Sequence, residues 1–182
     1  MPTTRRTSNC SLGVPVDLYW HACVEPEDHV AAATAAVFRA LGRPGRRWNP
    51  FAERMVLAEI RGRLRAAARG ELRPVDQVKP IGEGDALFEI RWLDIPVTEV
   101  APDGSSRHST TGARLLHAEP LALSVCAVGL HAHEKPHGQD DATARARQDA
   151  EIRVALDRYH AGVGSLWGLR RSSGLPRPRR GE

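Results

Sequence analysis

The spacing of apolar positions changes several times along the chain, and each change marks an element. Val16, Leu18, Trp20 and Ala22 alternate with Asp17, Tyr19 and His21, the period of a half-buried strand. Val30, Ala33, Val37, Phe38 and Leu41 then recur at helical spacing, with Pro26 suited to a first turn among acids and Gly42 and Pro44 as a stop. Asn49 and Pro50 read as the N-cap and first residue of a second helix running to about Arg69, with Gly70 as its C-cap. Its apolar stripe is Leu57, Ile60, Leu64 and Ala67.

The second half changes to period two. Phe88, Ile90 and Trp92 share one face of a strand and Glu89 and Arg91 the other. Asp103-Gly104 signals a hairpin, so this strand extends towards Val100 and a third returns from about Arg107, with the polar 94–112 stretch as a flap or loop. There Arg114 and Leu116 face one way and Ala113, Leu115 and His117 the other. Beyond a Glu119-Pro120 turn, residues 123–133 are apolar on both sides and read as a central strand. Ile152, Ala155, Leu156 and Tyr159 complete the pattern as one face of a helix that Gly162 and Gly164 end. The order β, α, α, β, β, β, α predicts an α+β domain. Its largely antiparallel sheet has three to four strands, with N-terminal helices and a C-terminal helix packed on it. The expected boundaries are a flexible basic tail over 1–13, the domain over 14–162 and a second basic tail over 163–182.

Composition narrows the setting. The longest apolar run, 121–130, is about half of the roughly 20 residues a membrane helix needs, and the first residues lack an apolar core segment, so a cytoplasmic protein with no membrane partner is expected. Cys10, Cys23 and Cys126 are odd in number and lack C-x-x-C spacing, which argues for reduced thiols rather than a disulfide framework or zinc knuckle. The basic residues are 24 Arg against 2 Lys, a bias that codon usage or a phosphate-binding surface would both produce. Arg61, Arg65 and Arg69, four apart on the second helix, are either a solvated face or a contact for RNA phosphates. Lys135 is one of the two lysines, and it stands with His131, His133 and His137 where the central strand ends. Period two puts His131 and His133 on one side, and Lys135 joins them if the strand persists.

The segments VKPIGEGDALFEIRW, ARLLHAEP, VGLHAHEKP and AEIRVALDRYH resemble, in order, the motifs of the phage-derived Gp49-like, HigB-type branch of the RelE/ParE toxins. The likeness covers about 79–159, and the β-α-α start fits the same layout. It implies a RelE-like fold and the toxin component of a type II toxin-antitoxin system. The implied activity is a metal-independent mRNA endoribonuclease without cofactor, working on the ribosome and held in check by a helix-turn-helix antitoxin. Residue by residue it implies Arg91, Arg114, His131 and Lys135 as site residues. His133 stands where an aromatic is usual and Pro136 where a second lysine is usual.

RNA cleavage without metal needs a base for a 2′-OH, cations for the charge gathering on phosphorus, and an acid for the departing 5′ oxygen. Arg91, Arg114 and Lys135 offer the charge, and His131 or His133 the proton transfer. Tyr159 offers a stacking or phosphate contact, or simply fills the core. Arg91 equally suits an ion pair with Glu89, and Arg114 and His131 equally suit structural bonds. Two rival readings start from the same residues. One is a divalent-metal site of His131, His133 and His137 with Glu134 or Asp140, against which Glu134 is expected on the opposite face. The other is a catalytically inactive module that binds RNA or protein.

Overall fold

A computed structural model describes residues 6–23, 28–81, 87–135 and 140–169. The elements run β1 (Asp17–Trp20), α1 (His29–Ala40), β2 (Arg46–Arg47), α2 (Pro50–Ala68), β3 (Val78–Ile81), β4 (Leu87–Val100), β5 (Ser106–Ala118), β6 (Cys126–Lys135) and α3 (Asp141–Val163). The sheet order is β1-β6-β5-β4-β2, with β3 also on β4. Only β1 with β6 is parallel among the named strand pairs; the others are antiparallel.

Period two divides the sheet between two cores. Phe88, Ile90 and Trp92 of β4, with Ala113 and Leu115 of β5, meet Ala33, Val37, Ile60 and Leu64 of α1 and α2. The alternate positions, Leu87, Leu116, Ala118, Val128 and Leu130, meet Ala155 with Ile152, Leu156 and Tyr159 of α3. The sheet is therefore a middle layer with the N-terminal helices on one face and the C-terminal helix on the other. Tyr19 is buried against the α3 core while Leu18 and Trp20 pack on the other side, so β1 is covered on both faces rather than half-buried.

The helix caps explain where α2 and α3 begin. Asn49 accepts from Ala52 N at 2.8 Å with Pro50 in the first turn, and Asp140 accepts from Thr143 N at 2.9 Å. For α1 the cap is Asp28, which accepts from Ala31 N; the Pro26 expected to open this helix lies outside the described residues. On α2 the buried residue at the start of the stripe is Val56, with Leu57 only half-buried.

Among the described residues the sheet has six strands, more than the three or four expected. The additional ones are short: β2 is two residues, and β3 sits in a stretch whose prolines and glycines read as turns. Pro80 is accommodated because β3 lies on the edge of β4, where a missing N–H costs no ladder bond. The 94–112 stretch is the distal part of the β4–β5 hairpin, turned at Asp103-Gly104 with Gly104 at φ +83°.

Both expected tails contain packed residues. Ser8, Asn9 and Cys10 are buried, and Leu72 N donates to Cys10 O at 2.9 Å. Leu169 is buried in the α3 core with Leu166 and Trp167 against it. Residues 1–5 and 170–182 lie outside the described residues.

Candidate functional site

The α3 face of the sheet carries a polar band beyond the apolar core. Register places Arg91 of β4 opposite Arg114 of β5, Arg114 opposite His133 of β6, and Leu116 opposite His131. β6 persists to Lys135, which pairs with Gly112. Arg91, Arg114, His131, His133 and Lys135, chosen from sequence, thus share one face of three adjoining strands. Two like charges directly opposite, Arg91 and Arg114, need an anion between them, and Glu89 supplies it. Its buried carboxylate lies 3.5 Å from Arg91 Nε, 3.7 Å from Arg114 Nε and 3.5 Å from Lys79 Nζ.

The cations are not equivalent. Arg114 is 3% exposed and donates through Nη1 to Trp92 O and Ala113 O; burial, only partly offset by Glu89, pulls its guanidinium down to about 10. Arg91 is more open and donates to Val75 O at 2.7 Å. That bond holds a β-branched residue at φ +68°, a conformation normally costing about 1–3 kcal/mol. Lys135 is half-buried, and desolvation followed by the charge of Arg114 moves its ammonium below the usual lysine range.

The histidines differ as well. His131 is held on both ring nitrogens: Nε2 is 2.5 Å from Glu151 Oε2 of α3, and Nδ1 is 3.2 Å from Arg158 Nη1. A guanidinium can only donate, so Nδ1 accepts and Nε2 carries the proton given to Glu151. His133 stacks on His131 at 5.9 Å between ring centroids, is 6% exposed and has no partner at Nδ1. Burial, reinforced by His131, Arg114 and Lys135 against the pull of Glu151, brings it down to about 4, so it is neutral at pH 7. His21, at the end of β1, is likewise lowered to about 4 by burial, then by Arg158 and His131.

A cleft lies where the sheet meets the first turns of α3, lined by His133, Lys135, Arg147, Gln148 and Glu151. Here the half-buried carboxylate of Glu151 and two cations face one space.

Donor atoms of His131, His133 and Glu151 lie within 4.8 Å of one another, close enough to invite an ion. Arg158 argues against it: an imidazole bound to metal through Nε2 carries its proton on Nδ1, facing the Arg158 N–H. Glu134, considered earlier as a ligand, points to the opposite face, where it accepts from Arg46 and Thr111. Asp140 caps α3, and His137 and Pro136 lie outside the described residues.

Arg61, Arg65 and Arg69 are exposed on α2, the layer on the other side of the sheet from this cleft. Tyr159 is half-buried on the α3 core, 6.1 Å from the Trp167 ring. The residues that sequence reading passed over are Glu151, Arg158, Arg147 and His21. Glu151 immediately precedes the apolar Ile152, and only the fold brings it to a histidine 20 residues earlier.

Comparison with protein-family models, with characterised proteins and with solved structures gives no match. None of the helices in the described residues is long and apolar enough to cross a membrane.

Proposed function

We propose that this protein is a RelE-like, toxin-type endoribonuclease that cleaves mRNA through its 2′-OH without a metal, with the ribosome and a helix-turn-helix antitoxin as partners. The observation that carries the reading is the convergence of Arg91, Arg114, His131, His133 and Lys135, with Glu151, on one sheet face. The layout of two N-terminal helices, a mostly antiparallel sheet and a C-terminal helix on its other face agrees with it.

The geometry divides the work. Glu151 is the base: its carboxylate takes the 2′-OH proton while His131 N–H orients it. The 2′ oxygen bonds to phosphorus as the P–O5′ bond breaks, leaving a 2′,3′-cyclic phosphate. Lys135, with its lowered proton affinity, gives a proton to the departing 5′ oxygen. Arg91 and Arg147 stabilise the charge on the phosphoryl oxygens, the contribution that is often largest. Arg114 and His133 are too buried to touch RNA and act as positioning residues for Glu89, Lys135 and His131.

The test is inducible expression in bacteria of wild type, Lys135→Ala and Glu151→Gln, reading growth and mRNA 5′ ends. Wild type is expected to arrest growth and generate new ends, with each variant reducing cleavage by about a hundredfold or more. New ends that survive both substitutions refute the assignment. Intact mRNA in the wild type, with RNA still bound by purified protein, supports the inactive binding module, a reading favoured by the burial of Arg114 and its capture by Glu89.

A further inference from the structure

On the opposite face of the sheet, far along the chain from the cleft residues of α3, a second group of titratable side chains is sealed from solvent. Cys10 and His117 are 0% exposed and Glu119 is 3% exposed. His117 Nε2 lies 3.9 Å from Cys10 Sγ and 3.2 Å from Glu119 Oε1, and donor atoms of all three fall within 4.8 Å of one another. One ring nitrogen thus faces a thiol and a carboxylate together, although a single N–H can serve only one of them well.

We propose that Cys10, His117 and Glu119 form an internal site for a divalent transition-metal ion of the zinc type. Tetrahedral bonds of about 2.3 Å to sulfur and about 2.0–2.1 Å to nitrogen and oxygen require roughly 3.6 Å between S and N and roughly 3.3 Å between N and O. The observed separations depart from these by only a few tenths of an ångström, so side-chain adjustment suffices. Thiolate and carboxylate together balance the charge of the ion, and thiolate with imidazole is the donor chemistry that zinc prefers.

The surroundings orient the carboxylate. Ser8 Oγ donates to Oε1 at 2.5 Å, Asn9 N lies 3.0 Å from both oxygens, and Arg6 Nη2 is 3.6 Å from Oε2. The nearby guanidinium, that of Arg6, meets the Glu119 carboxylate and backbone carbonyl. Phe88 stacks on His117 at 5.6 Å between centroids. Cys126 begins β6 nearby, its carbonyl accepting from Asn9 Nδ2 at 3.0 Å, but its thiol lies in the α3 core, 3.7 Å from Pro120 O, so Cys10, His117 and Glu119 are the three ligands the protein supplies. Such an ion would tie the N-terminal segment to the end of β5, and being enclosed it would enter as the chain folds.

The full chain is produced in medium where Co²⁺ replaces Zn²⁺, and the cobalt content and near-ultraviolet thiolate-to-cobalt absorption are measured alongside circular dichroism. Wild type is expected to carry one cobalt per chain with the thiolate band. Cys10→Ser and Glu119→Gln are expected to lose the metal, while Cys23→Ser and His131→Ala retain both metal and band. Folded wild type without cobalt overturns the proposal. So does cobalt lacking a thiolate band, or a band that disappears with Cys23→Ser, and both are readable even if Cys10→Ser does not fold. None of these outcomes depends on ribonuclease activity.

Discussion

At the scale of single residues, burial decides what the polar groups can do. His133 and His21 each take up a proton in the folded chain only near pH 4, against about 6.5 when free in the unfolded chain. As pH falls below about 6.5 the unfolded state binds protons that the folded state refuses, so stability drops down to about pH 4 and is fully present above 6.5. For the nearly sealed His133 this loss is at most about 3 kcal/mol. Urea denaturation of wild type and His133→Gln at pH 7.5 and 4.5 checks it: the drop between the two pH values should shrink in the variant, and an equal drop would contradict the assignment. The sequence showed that His131, His133 and Lys135 project together, because alternation is a local rule. It could not show that His133 is shut away while Glu151 is open, because that depends on where α3 lies.

At the scale of elements, helix α2 illustrates how position sets the sign of a glycine substitution. Gly70, just past the helix end, has φ +71°, and an added Cβ would stand 2.4 Å from Val14 O and 2.8 Å from Val14 N, backbone atoms with no freedom to yield. Gly62, within the same helix, has nothing within 4 Å of that position. Gly70→Ala should therefore destabilise by more than about 1 kcal/mol, and Gly62→Ala should stabilise by roughly 0.5–1 kcal/mol. Denaturant midpoints of the two variants should move in opposite directions. Most elements were legible because each has its own period and stop signal: Asn49-Pro50 for α2, Asp103-Gly104 for the hairpin, Phe88, Ile90 and Trp92 for β4. The element at Asn9–Ser11 was not, because Ser8 and Asn9 are polar and are buried by bonding to Glu119, 111 and 110 residues away. For β3 the obstacle was Pro80, which reads as a turn until an edge position excuses it.

At the scale of the whole molecule, the two faces of the sheet hold different kinds of chemistry. The α3 face gathers cations around Glu89 and opens to solvent beside Glu151. The α1–α2 face encloses Cys10, His117 and Glu119, and Arg46 there joins Glu134 at 2.8 Å to Glu99 at 3.1 Å across the sheet. Substitutions in one set should leave the other's readout unchanged, because sites on opposite sides of a packed sheet are expected to add independently.

The meeting of β1 with β6 also fixes an order of assembly. The strands from β4 to β6 follow one another in sequence and pair by hairpins, whereas β1 must find a neighbour whose register runs from Asp17 to Cys126. Closing so long a loop is slow relative to the local pairings, so the meander should form first and the N-terminal strand should dock late and loosen early. In native-state hydrogen exchange, the amides of β4 and β5 should report the global stability, and those of Asp17 and His21, which donate to Val125 O and Gly129 O, should open at lower cost. The first strand of the described residues is thus the one secured last.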